Sequence, residues 1–249
     1  MSKLCCCVLA CLVFGLCGIA AAQDAVPVEL LQRTVLIRTA TEQGTGFLID
    51  YDGKLFLVTA RHVLSGQNGT ANIQVRKNGE WLSLPAAKIL YPKSDEVDIA
   101  VLKTDEPATK PFGITVSKKN SSVVLGQQIW FLGYPFLEGL SSHIANIEAP
   151  FIKRGTMSAI VSTNPDAVLL YIDGFNNPGF SGGPIICWDL TDHVYKIIGV
   201  VKGYRNENAK VAVNGQQVDT NILVNSGILV GYSIDHAIEA IETDKASAK

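Results

Sequence analysis

Ser181 lies in Asn177-Pro178-Gly179-Phe180-Ser181-Gly182-Gly183-Pro184, a lone hydroxyl framed by glycines. A serine hydroxyl is a weak nucleophile until a base takes its proton and a rigid backbone aims it. Glycines let the chain turn sharply and bring N–H groups close to a reacting carbonyl. A base and a carboxylate to orient it both occur upstream. His62 follows the apolar run Leu55-Phe56-Leu57-Val58, within Thr59-Ala60-Arg61-His62-Val63-Leu64. Asp98 opens Asp98-Ile99-Ala100-Val101-Leu102. A carboxylate entering an apolar strand needs a partner, because burying a bare charge is costly. Paired with His62, Asp98 accepts the Nδ1 proton and fixes the tautomer, which leaves Nε2 free to act as base toward Ser181.

These groups need rigid elements to hold them, and the chain offers strands. Short β-branched or alternating runs at 34–38, 46–50, 55–59, 73–76, 81–84, 86–91 and 99–103 read as strands. So do 129–133, 157–161, 167–172 and 196–201. Asp52-Gly53, Asn68-Gly69, Asn78-Gly79 and Asn214-Gly215 are turn signals. Many short strands with tight turns indicate an all-β architecture. One longer helix is expected near the end, capped by Ser233, with Ile234, Ala237, Ile238 and Ile241 on one face. The polar stretch 105–122 reads as a link between two β units, and 206–221 as an exposed loop or hairpin.

The 249 residues carry 21 Lys and Arg against 23 Asp and Glu, so no basic field points to nucleic acid. A charged content of 18% and an apolar content of 47% exclude a disordered chain. The apolar run 4–19 and the triplet Ala20-Ala21-Ala22 read as a signal peptide over 1–22, with Gln23 as the mature start. Export to the periplasm or medium is expected, with no membrane role after cleavage. Five of the six cysteines fall inside that segment, and only Cys187 remains. An internal disulfide is then impossible, and Cys187, after Ile185-Ile186, reads as a buried inert thiol. No Cys or His spacing suggests a metal site, and no cofactor motif is present. His143, His193 and His236 read as surface or capping residues.

His62, Asp98 and Ser181, in that chain order, resemble the triad of chymotrypsin-like serine proteases, specifically trypsin-like peptidases of the HtrA (Deg) type. The match is carried by Gly44-Thr45-Gly46-Phe47-Leu48-Ile49, the His62 and Asp98 segments, and 177–184; Gly155-Thr156-Met157-Ser158 and Gly231-Tyr232-Ser233-Ile234 echo it. The resemblance implies two perpendicular six-stranded antiparallel β-barrels with a short C-terminal helix. It assigns 23–118 to a first barrel with His62 and Asp98, and 119–249 to a second with Ser181. Its oxyanion hole would be the N–H groups of Gly179 and Ser181, and Val200, Val201, Lys202 and Gly203 would line the substrate pocket. Polypeptides would be the substrates; the oligomeric state is not implied.

The departures also inform. Phe180 stands before the nucleophile where digestive relatives carry an aspartate that pairs with a newly cut N-terminus, so activation of that kind is not expected. Phe175 replaces the aspartate that selects lysine and arginine, which leaves a small or medium apolar residue before the scissile bond as the expectation. The PDZ domain that HtrA proteins usually add is not expected after the final helix. Gly179-Phe180-Ser181-Gly182-Gly183 also fits the nucleophile elbow of α/β-hydrolases, but that fold requires alternating helices and an acid and histidine after the serine. A catalytically silent protease-like fold that binds peptides is the remaining alternative.

Overall fold

The computed structural model describes residues 25–77, 79–85, 87–107, 115–116, 123–136, 142–144, 147–164 and 167–247. The expected signal peptide and most of the expected link at 105–122 lie outside the described residues.

The first half forms one antiparallel sheet. Its strands are β1 (Thr34–Arg38), β2 (Gln43–Tyr51), β3 (Lys54–Thr59), β4 (Thr70–Ala71), β5 (Gln74–Lys77), β6 (Glu80–Ser83), β7 (Ala87–Leu90) and β8 (Ala100–Pro107). They are ordered β4-β7-β8-β3-β2-β1-β5-β6, an open half-barrel of eight strands rather than a closed ring of six. The extra strands come from a short hairpin, β5 with β6, and from the two-residue β4, which pairs with β7. Asp52 and Gly53 turn β2 into β3 with φ of 51° and 71°, the paired left-handed conformations a two-residue hairpin turn requires.

The second half contains β9 (Thr115–Val116), β10 (Gln128–Gly133), β11 (Ser142–Ile144), β12 (Ile147–Ala149), β13 (Phe151–Asn164), β14 (Ala167–Asp173), β15 (Pro184–Asp189), β16 (Val194–Val213) and β17 (Gln216–Ser233). Six of them run β15-β10-β13-β14-β17-β16, and β16 pairs back onto β15, which closes the ring. β9 joins β16 in parallel, and among the described residues β11 pairs with β12 alone. The expected exposed segment 206–221 is a hairpin continuing β16 and β17 outward, turned at Asn214 (φ 51°) and Gly215 (φ 78°).

Two helices complete the described chain, α1 (Val28–Arg33) and α2 (Asp235–Ser247). Ser233 Oγ accepts the Asp235 N–H at 3.2 Å, and the expected apolar stripe is buried. α2 follows the second unit but docks on the first: Asp244 pairs with Lys88 of β7 at 2.5 Å and Lys103 of β8 at 3.0 Å, and Lys245 pairs with Asp52 at 2.6 Å. His236 departs from its surface reading. It lies on the buried face of α2, where Nε2 accepts the Val168 N–H of β14 at 3.0 Å and so satisfies that backbone donor. One apolar cluster joins the units, with Phe47, Val58 and Val101 from the first packed with Trp130, Leu132 and Val200 from the second. Cys187 is fully buried in a second cluster, and burial pushes its thiol up to about 12.

Candidate active site

β3 ends at Thr59 and runs through extended Ala60 into a single 3-10 turn, Arg61–Leu64. Val63 and Leu64 point into the core, and this turns His62 outward with its side chain 46% exposed. Asp98 lies just before β8 between fully buried Val97 and Ile99. The partner its burial demanded is His62. Asp98 Oδ1 accepts the His62 backbone N–H at 2.9 Å, and Oδ2 lies 2.7 Å from Nδ1. With Asp98 ionised, this bond puts the neutral imidazole's proton on Nδ1 and leaves the Nε2 lone pair outward. The hydrogen bond to Asp98 raises the His62 pKa above its usual 6.5, against an opposing effect of burial; Lys202 lowers it slightly through its charge.

The Ser181 loop is held by its carbonyls. Pro178 O accepts the Phe136 N–H at 3.2 Å, Gly179 O accepts Thr45 Oγ1 at 2.7 Å, Phe180 O accepts the Gly183 N–H at 2.9 Å, and Ser181 O accepts the Thr45 N–H at 2.8 Å. Across a trans peptide the N–H points opposite to the carbonyl. Fixing Pro178 O therefore aims the Gly179 N–H away from Phe136, and fixing Phe180 O does the same for the Ser181 N–H. Neither N–H donates to an acceptor among the described residues. Gly179 reaches this geometry at φ 101°. Gly182 has φ 84°, and a Cβ there would lie 2.1 Å from Thr45 O and 2.7 Å from Ala60 N. Only glycine lets the Ser181 loop approach the first unit this closely.

The Ser181 hydroxyl donates to the Lys202 carbonyl at 3.1 Å; no hydrogen bond joins it to His62 among the described residues. Ser181 and the His62 turn are nonetheless near neighbours across Gly44, whose Cβ would meet Val63 Cγ2 at 2.6 Å and Ser181 O at 3.0 Å.

Of the four residues expected to line the pocket, Lys202 and Gly203 do so, in a cleft of about 420 Å³ that also reaches His62 and Asp98. Val200 and Val201 do not: they are buried in the barrel core. The reason is local, since Val201 still pairs with the β15 side through its N–H to Gly183 O and its carbonyl to the Gly182 N–H, whereas a register shift follows at Lys202. Leu169, Tyr171, Tyr204, Arg205 and Val230 complete the cleft, and none had a motif to reveal it. Thr45 was also missed. Gly44-Thr45-Gly46 read as a strand bend, yet Thr45 ties the Ser181 loop to β2 and its hydroxyl also accepts the Tyr134 N–H at 3.1 Å. A threonine between two glycines in a buried strand was the only available signal.

An open half-barrel facing a closed six-stranded ring, with an imidazole–carboxylate pair from one and a glycine-framed serine from the other, is the architecture of the chymotrypsin-like peptidases. The chain belongs to the trypsin-like peptidase domain family, whose model matches residues 44–194. It is 28% identical over 203 residues to the uncharacterized protein y4bJ of Sinorhizobium fredii, covering 81% of this chain and 28% of that protein. It is also 28% identical over 171 residues to chloroplastic Protease Do-like 1 of Arabidopsis thaliana, covering 68% of this chain and 34% of that one. The chain thus spans about a third or less of the length of these relatives. Among solved structures, the HtrA-type protease AlgW with a tripeptide shares the fold, with a TM-score of 0.54 at 19% identity over 87% of this chain and 61% of that one.

Proposed function

We propose that this chain is a serine endopeptidase in which His62 is the general base and acid, Asp98 its orienting partner and Ser181 the nucleophile. The observation that carries the reading is the double hydrogen bond of Asp98 to the backbone and ring of His62, which fixes the tautomer a base requires. Rotation about one side-chain bond turns the Ser181 hydroxyl from Lys202 O toward His62. A substrate N–H that takes over Lys202 O favours that rotation by competing for the acceptor. His62 Nε2 removes the proton as Oγ bonds the carbonyl carbon, and the carbonyl electrons move onto oxygen. The Gly179 and Ser181 N–H groups are free to receive that oxyanion, and each such donor is worth about 2.7–4 kcal/mol in the transition state. The tetrahedral adduct collapses as His62 returns the proton to the leaving amine, and water then attacks the acyl-enzyme by the same route.

Phe175 in place of a selecting aspartate supports a small or medium apolar residue before the scissile bond. The apolar run 4–19 and Ala20-Ala21-Ala22 support export, and sequencing the mature N-terminus tests this by looking for Gln23. An active-serine phosphonate tests the peptidase reading. Stoichiometric labelling of the wild type but not of Ser181→Ala is expected; correctly folded protein that takes no label overturns it and leaves a peptide-binding fold.

A further inference from the structure

The cleft beside His62 and Asp98 is apolar along its walls and cationic at its rim. Leu169 and Tyr171 of β14 and Val230 of β17 form the walls, with Tyr171 and Val230 paired directly across the two strands. Lys202 and Arg205 of β16 also line it, and both side chains are exposed. The Lys202 ammonium lies 5.4 Å from the Tyr232 ring centroid. Neither cation has a carboxylate within ion-pair distance among the described residues. Among the described residues Asp98 is the acid that lines the cleft, and both its oxygens are bonded to His62; Asp95 pairs with Arg61 at 2.9 Å. Glu42 contributes to the surroundings of His62 only through its charge. Two fixed cations thus face one carboxylate within the cleft, in a chain whose formal net charge is −2.

An apolar wall with a cationic rim suits a side chain with an aliphatic stem and an anionic head. A glutamate laid along Tyr171 and Val230 keeps its methylenes on the apolar surface while its carboxylate meets Lys202 or Arg205. Glutamine gains the stem contact but no charge interaction, and lysine meets repulsion. The position in the substrate follows from β16. Ser181 Oγ touches Lys202 O, and β15 ceases to pair with β16 beyond Val200, which leaves the edge from Lys202 outward open to an added strand. A peptide extended along that edge advances about 3.3 Å per residue. The span from Lys202 to Arg205 then takes residues within about four of the scissile bond.

We propose that the cleft selects peptides bearing a glutamate or aspartate within about four residues of the scissile bond, with Lys202 and Arg205 as the charge-reading groups. This rests on the peptidase reading above and names its substrate class.

The test uses the whole protein and fluorogenic peptides that share one apolar residue before the scissile bond and carry Glu, Gln or Lys at each nearby position in turn. At one or more positions kcat/KM for Glu is expected to exceed that for Gln by roughly three- to tenfold, the range two exposed ion pairs supply. The ratio should contract in 0.5 M salt as the charges are screened. Arg205→Met and Lys202→Met should each lower it, and Arg205→Glu should shift preference toward Lys. A Glu:Gln ratio of one at every position, or a ratio unchanged in both Met variants, overturns the proposal. Arg205 is exposed, so its variants keep the test valid if Lys202→Met fails to fold. The two readings fail separately. If no peptide is cut and the phosphonate does not label Ser181, the peptidase reading falls, and charge selection is then read from binding of the same peptides to Ser181→Ala. Equal affinities for Glu and Gln peptides there overturn the cleft proposal.

Discussion

Replacing Thr45 with valine tests whether the bond network, rather than the catalytic side chains alone, makes the site. Valine keeps the shape and removes only the hydroxyl. That hydroxyl donates to Gly179 O at 2.7 Å and accepts the Tyr134 N–H at 3.1 Å, and Thr45 has no exposed surface through which water might substitute. The substitution strands one buried carbonyl and one buried N–H, at about 1–3 kcal/mol each. A total of about 2–6 kcal/mol is a large share of the roughly 5–15 kcal/mol that stabilises a typical domain. The kinetic effect follows from the same carbonyl. Once Gly179 O is released, the loop that presents the Gly179 and Ser181 N–H groups loses one of its four carbonyl anchors. Complete loss of one donor costs about 10²–10³ in kcat, which bounds the effect from above. Urea unfolding in a Ser181→Ala background, free of self-digestion, measures the stability term; kcat and KM of Thr45→Val with Ser181 intact measure the other. Thr45→Ser restores the hydroxyl and should recover most of both. Wild-type stability and kcat in Thr45→Val, or equal damage in Thr45→Ser, refutes the reasoning.

The remaining predictions draw on the same geometry. Because hydrogen bonding to Asp98 raises the His62 pKa, kcat/KM should fall as pH drops through an inflection above 6.5, and a rate constant down to pH 4 excludes His62 as the base. The sign for stability is opposite: protonated His62 contributes stabilisation that is complete below about pH 6.5 and fades as pH rises through the folded-state pKa, measurable as a difference between wild type and His62→Ala unfolding across that window. Asp98→Asn should fold but lose about 10⁴ in kcat through the wrong tautomer, and near-normal turnover removes Asp98 from that role. Gly182→Ala meets both a left-handed φ and backbone atoms closer than 3 Å, so it should lower the unfolding midpoint and abolish phosphonate labelling; unaltered labelling contradicts the close packing. Cys187 should resist thiol reagents at pH 8 until the protein is unfolded, since its thiol is held near 12; rapid modification of the native protein counts against its burial.

Much of this was legible before the structure. The run 34–38 is β1 residue for residue, because Thr34, Val35 and Ile37 are β-branched and the apolar run Val35-Leu36-Ile37 ends at charged Arg38. Asp98 announced its partner through the cost of burying a charge. Other elements left weaker traces. Pro184–Asp189 is buried on both faces through Trp188's neighbours, so β15 shows an apolar run instead of an alternation and was read only as the surroundings of Cys187. The outer hairpin of β16 and β17 is exposed on both faces, and its strands are held by hydrogen bonds to each other rather than by burial. Its Asn, Gln and Lys content is therefore compatible with a loop as well as with the hairpin observed. The misplacement of Val200 and Val201 in the pocket has the same origin: a one-residue register shift at Lys202 decides which side chains face the cleft, and nothing in the local pattern encodes it.

His62 and Asp98 belong to the first unit and Ser181 to the second, so the site exists only while the seam between them is in register. Specific polar bonds hold that seam. Thr45 ties β2 to the nucleophile loop, the Tyr134 hydroxyl donates to Thr34 O at 2.9 Å, and the Tyr232 hydroxyl donates to Glu96 O at 2.5 Å, two residues from Asp98. The ion pairs of α2 with Lys88, Lys103 and Asp52 add to the seam, but Lys88, Lys103 and Lys245 stay 62%, 35% and 31% exposed, so water screens the pairs even though Asp244 is largely buried. Apolar contacts across the seam supply most of the adhesion but tolerate small slips, because they have little directionality. The hydrogen bonds do not, since an N–H···O contact weakens steeply once its angle opens. Loosening the buried bonds should therefore cost catalysis before it costs the fold. Tyr134→Phe, which removes the seam bond to Thr34 O and leaves the Tyr134 N–H on Thr45 in place, should lower kcat at a temperature where circular dichroism still reports native β structure. Parallel loss of activity and β signal on heating this variant would mean that the two units separate only by unfolding.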